Sequence, residues 1–256
     1  MGFLTDLVGD LRRRLEREPL DESRLLAIAM QLPPPRPFDR ALRTEVPVVI
    51  AEYKRASPSA RAIAEPDVAR QARAYEEGGA TAISVLTEPT RFDGALTDLR
   101  AVRLAVDLPV LRKDFLVYPA QVIESRAAAA DAVLLIAAAL SELELRGMLA
   151  VAADLGLGTL VETHSEEDLA KALASDAPVI GVNARDLETL EVDVERALAM
   201  LPGVPADRVA MLESGVSTRK EVERAMDAGA RGVLVGETLM RSPDPGATIR
   251  SLRGVA

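Results

Sequence analysis

Ionisable and small residues recur directly behind short apolar runs. Glu52 and Lys54 follow VPVVIA, Lys113 closes PVLRK, and Glu162 closes GTLVE. Asn183 and Arg185 follow PVIGV, Glu213, Ser214 and Gly215 follow RVAML, and Gly236 and Glu237 follow GVLV. Lysines and carboxylates brought together can pass protons, and lysine and arginine can hold an anion. The glycines let backbone N–H groups approach a phosphate closely, or serve only as turns. A charged residue just past a strand is ordinarily a solvated loop residue. The same polar ending on run after run points instead to one shared site. Lys113 precedes Asp114, so it reads either as a site lysine or as a plain ion-pair partner of that aspartate. His164, just beyond Glu162, reads as a non-catalytic residue at a helix start.

Composition narrows the chemistry. Among 256 residues there is no cysteine and a single histidine, His164. Thiolate nucleophiles, cysteine metal sites, disulfides and multi-histidine zinc sites are therefore not expected, and neither a metal nor a cofactor is called for. The formal charge of -9 makes nucleic acid a poor partner, while a small phosphorylated substrate can still be held by local cations and backbone. The opening MGFLTDLVGDLRRRLEREP lacks the uninterrupted apolar core of a signal peptide, and no run of about 20 apolar residues spans a membrane. A cytoplasmic protein is expected, as a monomer or at most a weak homo-oligomer.

These residues need a scaffold that brings them to one place. Leu4, Leu7, Val8, Leu11 and Leu15 fall at helical spacing, and 21–30 forms a second helix-like run with Asp21 as a possible cap. The LPPPRPF stretch at 32–38 is too rich in proline for a helix or an interior strand and reads as a stiff connector. Beyond it, strand-like runs at 46–52, 81–87, 109–113, 131–136, 158–162, 178–183, 208–214 and 232–236 alternate with amphipathic stretches such as 66–77, 118–129, 141–155, 165–175 and 218–228. Ser141, Ser165 and Thr218 stand where helix caps belong, and Gly78-Gly79 and Gly229 where helices should stop. The pattern predicts an α/β fold: a (β/α)8 TIM barrel over 41–256 with an N-terminal helical extension over 1–40, one structural domain overall. An open doubly wound sheet would show the same alternation, but no GxGxxG follows the first strand. In a barrel, strand ends converge at the C-terminal mouth. Side-chain alternation then places Glu52 with Lys54, and Asn183 with Arg185, on shared faces.

The stretch AEYKRASPS at 51–59 closely resembles the A-E-x-K-R-x-S-P-S signature of the indole-3-glycerol-phosphate synthase family. ISVLTE, LRKDF, LLI, LVE, GVNARDL, ESGV and VLVGETLM resemble that family's further blocks in the same order. The resemblance implies ring closure of 1-(2-carboxyphenylamino)-1-deoxyribulose 5-phosphate with loss of carbon dioxide and water. It implies Lys113 as general acid and Glu162 as the carboxylate that moves protons during dehydration. Lys54 would hold the anionic substrate, with Glu52, Asn183 and Glu213 orienting substrate and lysines. Ser57, Arg185, Ser214, Gly215, Gly236 and Glu237 would surround the phosphate, and Pro58, Phe92, Phe115 and Leu187 would wall the aromatic ring. The N-terminal helices would pack across the mouth. Two departures stand out: Ala60-Arg61 replaces the Lys-Gly usual after S-P-S, and Ala184 replaces a second asparagine.

Three rivals remain on sequence grounds. A sister barrel, phosphoribosylanthranilate isomerase, would need a cysteine base that this chain lacks. A Schiff-base aldolase would use Lys113 as a neutral amine. A phosphate-binding barrel without catalysis would keep the loops and lose the acid and base.

Overall fold

A computed structural model of the chain describes residues 2–44, 46–56 and 67–255. Ser57 and Pro58, and the departure at Ala60-Arg61, lie outside the described residues. Eight strands occupy the expected runs: β1 (Val48–Tyr53), β2 (Ala82–Leu86), β3 (Val110–Lys113), β4 (Ala132–Ile136), β5 (Gly158–Thr163), β6 (Val179–Asn183), β7 (Val209–Glu213) and β8 (Gly232–Val235). Each pairs in parallel with the next, and β8 returns to β1 through Val48 beside Gly232 and Ile50 beside Leu234. That closure settles the choice between a barrel and an open sheet.

The barrel closes because every strand is buried on two faces. Outward residues such as Val49, Ile83, Val133, Leu135 and Val161 pack beneath the surrounding helices. Inward residues such as Val48, Ile50, Leu111, Leu134, Leu160, Met211 and Leu234 fill the interior. This two-sided burial is why the strands read as continuous apolar runs and show no alternation. The outer ring comprises α4 (Val68–Glu77), α5 (Leu96–Ala105), α6 (Pro119–Ala127), α7 (Glu142–Asp154), α8 (Glu166–Ala174), α9 (Val194–Met200), α10 (Arg219–Asp227), α11 (Glu237–Arg241) and α12 (Pro245–Arg253). The expected caps are in place: the side chains of Ser141, Ser165 and Thr218 accept from the N–H groups of Glu144, Asp168 and Glu221. Gly79 and Gly229 adopt φ of 85° and 104°, which reverses the chain where α4 and α10 end.

The N-terminal segment forms α1 (Phe3–Arg17), α2 (Glu22–Ala29) and the short α3 (Phe38–Ala41). The expected connector is one residue shorter than its sequence suggests, because Phe38 already belongs to α3. That helix also spans residues 40–41, where the extension was expected to end. Phe38 is fully buried against the start of β5, where a Cβ on Gly158 would lie 2.7 Å from its own Cβ. Carbonyls of the proline connector are held by Arg126, which donates to Leu32 and Pro33 at 3.1 and 2.6 Å. At the opposite pole, α1 buries Leu4, Leu7 and Leu11 against the cluster that contains Phe115 and Val117. Its first N–H groups donate to the loop after β6, Phe3 to the Glu188 carbonyl at 3.2 Å and Leu4 to the Leu187 carbonyl at 3.0 Å. Of the N-terminal helices expected across the mouth, α1 thus rims it, whereas α2 packs on α6 and α3 at the start of β5.

The closing seam has no room for a side chain at Gly232. A Cβ there would sit 1.9 Å from the Val48 carbonyl oxygen and 2.6 Å from its carbon, both backbone atoms that cannot swing aside. Gly232→Ala is expected to destabilise the fold by about 2–3 kcal/mol, the upper part of the range for overpacking. The urea midpoint reads this directly, and an unchanged midpoint would show that the seam can relax.

Candidate active site

Strand alternation turns Glu52, Lys113, Glu162, Asn183 and Glu213 toward the interior at its C-terminal end. Each is the last or next-to-last residue of its strand. Register then brings neighbours together: Glu162 lies beside Gly181, and Asn183 beside Glu213. Lys113 reaches across the barrel, with Nζ 2.6 Å from Glu162 Oε2 and 3.3 Å from Glu213 Oε2. Lys54 continues β1 and places Nζ 2.9 Å from Glu52 Oε1. Both glutamates facing Lys113 are almost wholly buried.

Asp114 does not pair with Lys113, contrary to one sequence reading. Its carboxylate accepts from Thr87 Oγ1 at 2.6 Å and from Arg112 Nη2 at 3.0 Å, and its other oxygen accepts from the Phe115 N–H. Consecutive strand residues point to opposite faces, so Arg112 and Lys113 serve different networks. Arg112 also donates to the Gln121 carbonyl, Glu124 and Ser125, which anchors β3 from outside. The negative charge around Lys113 therefore comes from across the barrel.

That charge decides protonation. Burial pulls the Lys113 ammonium toward losing its proton, but Glu162, Glu213 and Glu52 outweigh it, and the net shift is upward. Burial likewise favours a neutral Glu162, yet Lys113 and His164 hold its carboxyl well below the ordinary range. Glu213 shifts the other way: burial raises it, and repulsion from ionised Glu162 adds to that against the pull of Lys113. Glu162 is thus the ionised member of the pair and Glu213 the more readily protonated one, a division that sequence could not rank.

A cavity of about 480 Å³ opens above these groups. One end is lined by Arg185, Ser214, Gly215, Gly236 and Glu237. Ser214 and Gly215 both have positive φ, 65° and 74°, which folds the chain tightly just after β7. Gly236 has a different reason to be glycine. A Cβ there would lie 2.3 Å from Glu52 Oε1 and 3.1 Å from Lys54 Nζ, so its absence leaves space for that ion pair. Asn183 Oδ1 accepts from the Arg185 N–H at 2.9 Å, and Arg185 Nη1 donates to the Leu190 carbonyl at 2.8 Å. The Glu237 side chain accepts from Arg241 Nε at 3.0 Å.

The other end is apolar. Phe3, Phe92, Phe115 and Leu187 line it. The Phe3 ring lies 6.2 Å from Phe92 and 6.4 Å from Phe115, edge-on to both, and Phe92 and Phe115 are 6.2 Å apart. The chain has only four phenylalanines, and three of them meet here while Phe38 sits at the floor. Sequence reasoning missed Phe3, although that scarcity of aromatics was a usable signal. It also set aside His164, which the fold places against Glu162. Ala184, one of the departures, is fully buried in the layer between barrel and helices.

A lysine held between two carboxylates, a paired second lysine, a tight glycine turn and an aromatic wall meet at one end of a closed eight-stranded parallel barrel, which places the chain in the (β/α)8-barrel class. Comparison with known proteins narrows this. The family model for indole-3-glycerol phosphate synthase matches residues 5–252, and the chain belongs to that family. It is 47% identical to the indole-3-glycerol phosphate synthase of Micrococcus luteus, over 100% of this chain and 98% of that protein. It is 48% identical to the one of a Nocardioides species, over 100% of this chain and 99% of that protein. Among solved structures, a 3-hexulose-6-phosphate synthase shares the fold at a TM-score of 0.63 and 18% identity, over 82% of this chain and 100% of that one. A thiamine phosphate pyrophosphorylase from Pyrococcus furiosus does so at 0.62 and 17%, over 84% and 96%.

Gly181 offers a test of the carboxylate geometry. A Cβ there would lie 2.0 Å from Glu213 Oε1, the far end of a side chain that can move. Gly181→Ala should leave the fold intact, displace the Glu213 carboxyl from Lys113 and lower kcat about 10-fold, the effect of one charge-assisted hydrogen bond. Steady-state kinetics with a matched thermal melt separates this from misfolding; full kcat would mean that the Glu213 contact is dispensable.

Proposed function

We propose that this chain is an indole-3-glycerol phosphate synthase that closes the indole ring of 1-(2-carboxyphenylamino)-1-deoxyribulose 5-phosphate, releasing carbon dioxide and water, in tryptophan biosynthesis. The observation that carries the reading of its chemistry is Lys113 held 2.6 Å from Glu162 and 3.3 Å from Glu213 at the barrel mouth. Ring closure drives an electron pair onto the substrate's ketone oxygen, and a proton must meet it there. The chain has no cysteine, and Lys113 is the cation at the centre of the mouth. Two of its N–H groups answer the two carboxyls, and the third serves the substrate oxygen. Loss of the substrate carboxylate as carbon dioxide restores the aromatic ring. Glu162, the ionised carboxylate, then takes the carbon-bound proton, while the Lys54 ammonium gives the hydroxyl the second proton with which it leaves as water.

Lys54, steered by Glu52, holds the substrate's negative charge beside the acid. Asn183 fixes the backbone of Arg185, and Glu213 steers Lys113. The phosphate lies toward Arg185 and the backbone of Ser214, Gly215, Gly236 and Glu237. Ser57 is assigned there by its sequence motif alone. The aromatic ring lies against Phe3, Phe92, Phe115 and Leu187, with Pro58 again assigned by motif. The monomer is the working unit in this reading, since one chain supplies each of these groups. Among the described residues no helix is long and apolar enough to cross a membrane.

The aldolase reading asks the opposite of Lys113. A Schiff-base lysine must be neutral, which needs desolvation or a neighbouring cation. Here the nearest second lysine, Lys54, has its charge answered by Glu52, and carboxylates surround Lys113. Borohydride added during turnover should therefore trap no adduct. A stable adduct mapped to Lys113 by mass spectrometry would overturn the acid role.

Two substitutions test the proton transfers. Lys113→Met should abolish most of kcat while substrate still binds, whereas Lys54→Met should lose more in binding. Glu162→Gln keeps the shape without ionising and should lower kcat by about 100-fold or more, as for other general acid–base groups. Indole fluorescence reads both, and near-normal turnover of E162Q would move the proton-transfer role to another carboxyl.

A further inference from the structure

His164 is the chain's single histidine, and it is 8% exposed. It follows β5 by one residue, so it repeats the inward direction of Glu162 one pleat higher. It is not among the residues that line the cavity, and it stands beside Glu162. Its Nε2 lies 3.1 Å from Glu162 Oε1. The N–H is off the direct line, and neither ring nitrogen has a well-aligned hydrogen-bond partner among the described residues. A buried ring left in that state is costly unless it serves something else.

Its surroundings are acidic on every side. Glu162 faces it from β5, Asp168 from α8 with Oδ2 3.9 Å from Nδ1, and Asp186 from the loop after β6. Asp168 is already engaged, since it accepts the His164 backbone N–H at 3.1 Å. Lys113 completes the group from across Glu162. The two oxygens of that carboxylate are therefore divided: Oε2 belongs to Lys113, and Oε1 faces His164.

We infer that His164 is a positioning residue for the reaction, which holds Glu162 Oε1 so that Oε2 stays aimed at Lys113 and the substrate. Without that grip the carboxylate can turn about its last bond and give up its orientation toward the cavity. The contact also favours the ionised form, so its loss should make Glu162 protonate at higher pH. This inference rests on the proposed reaction, in which Glu162 takes a proton.

A pair of amides separates this role from a merely structural one. In His164→Gln the side-chain nitrogen falls near the position of Nε2 and can still donate to Glu162. In His164→Asn the nitrogen falls near Nδ1, on the Asp168 side, and cannot reach Glu162. H164N is expected to lose about 10-fold in kcat with KM within twofold, the scale of one hydrogen bond to a charged group. The acidic limb of its kcat–pH profile should move upward. H164Q should recover most of kcat and the parental limb. The inference is overturned if H164N matches the parent in kcat and pH profile. It is also overturned if the two variants lose activity equally, or if H164N outperforms H164Q, which would assign the ring to the Asp168 side. Thermal melts of both variants identify the folded samples, and should H164N fail to fold, His164→Ala supplies the variant that lacks the nitrogen facing Glu162. Turnover of the parent enzyme tests the reaction itself, so failure of that reading is seen separately.

Discussion

One buried ion cluster organises this molecule's mouth. Lys113 brings a positive charge into a barrel end walled by carboxyls from other strands, and none of these groups is stable there alone. An unpaired buried charge costs several kcal/mol even after relaxation. Lys113, Glu162 and Glu213 are therefore mutually obligatory, and their strands must stay in register to within a fraction of a residue. The glycine at position 181 follows from the same constraint, because the Glu213 carboxyl occupies the space of its missing Cβ. Gly236 stands in the same relation to Glu52 and Lys54.

The cluster works because it is supported from outside. Lys113 is one residue from Arg112, whose guanidinium is buried among Thr87, Asp114, Gln121, Glu124 and Ser125. That network fixes the backbone of β3 on the helix side, so the inward lysine starts from a rigid point. A flexible four-carbon side chain becomes a well-placed cation only if its base is held and its tip is gripped. The N-terminal extension adds the remaining wall. By tying its first turn to the Leu187 and Glu188 carbonyls, α1 brings Phe3 into an aromatic group with Phe92 and Phe115. The extension is thus part of the cavity and not merely a cover on a finished barrel.

The fold was largely legible because its signals are local. Two-sided burial writes a strand as an apolar run, and caps such as Ser141 and Thr218 write a helix start, so eight repeats could be counted without knowing any contact. Boundaries moved by a residue or two, as at Phe38, where a helix began inside what read as a proline connector. The site was legible as a set of strand-end residues, since a barrel collects them at one end. Their partners were not. Asp114 stood next to Lys113 in sequence and turned out to belong to Arg112, while Glu213, a hundred positions away, lies 3.3 Å from the ammonium.

The sequence by itself therefore determined the alternation of elements, which residues of a strand share a face, and a list of groups able to do acid–base chemistry and hold a phosphate. These depend on periods of two and 3.6 residues and on residue type, both of which a single chain displays. Only the tertiary structure decided that the sheet closes, which carboxylate faces which cation, that Glu162 is ionised while Glu213 is not so readily, and that Phe3 and His164 stand at the site. Pairing across the barrel depends on register between distant strands, and protonation depends on burial and on charges brought near through space. Neither quantity is carried by neighbouring residues, so neither could be read before the chain was folded.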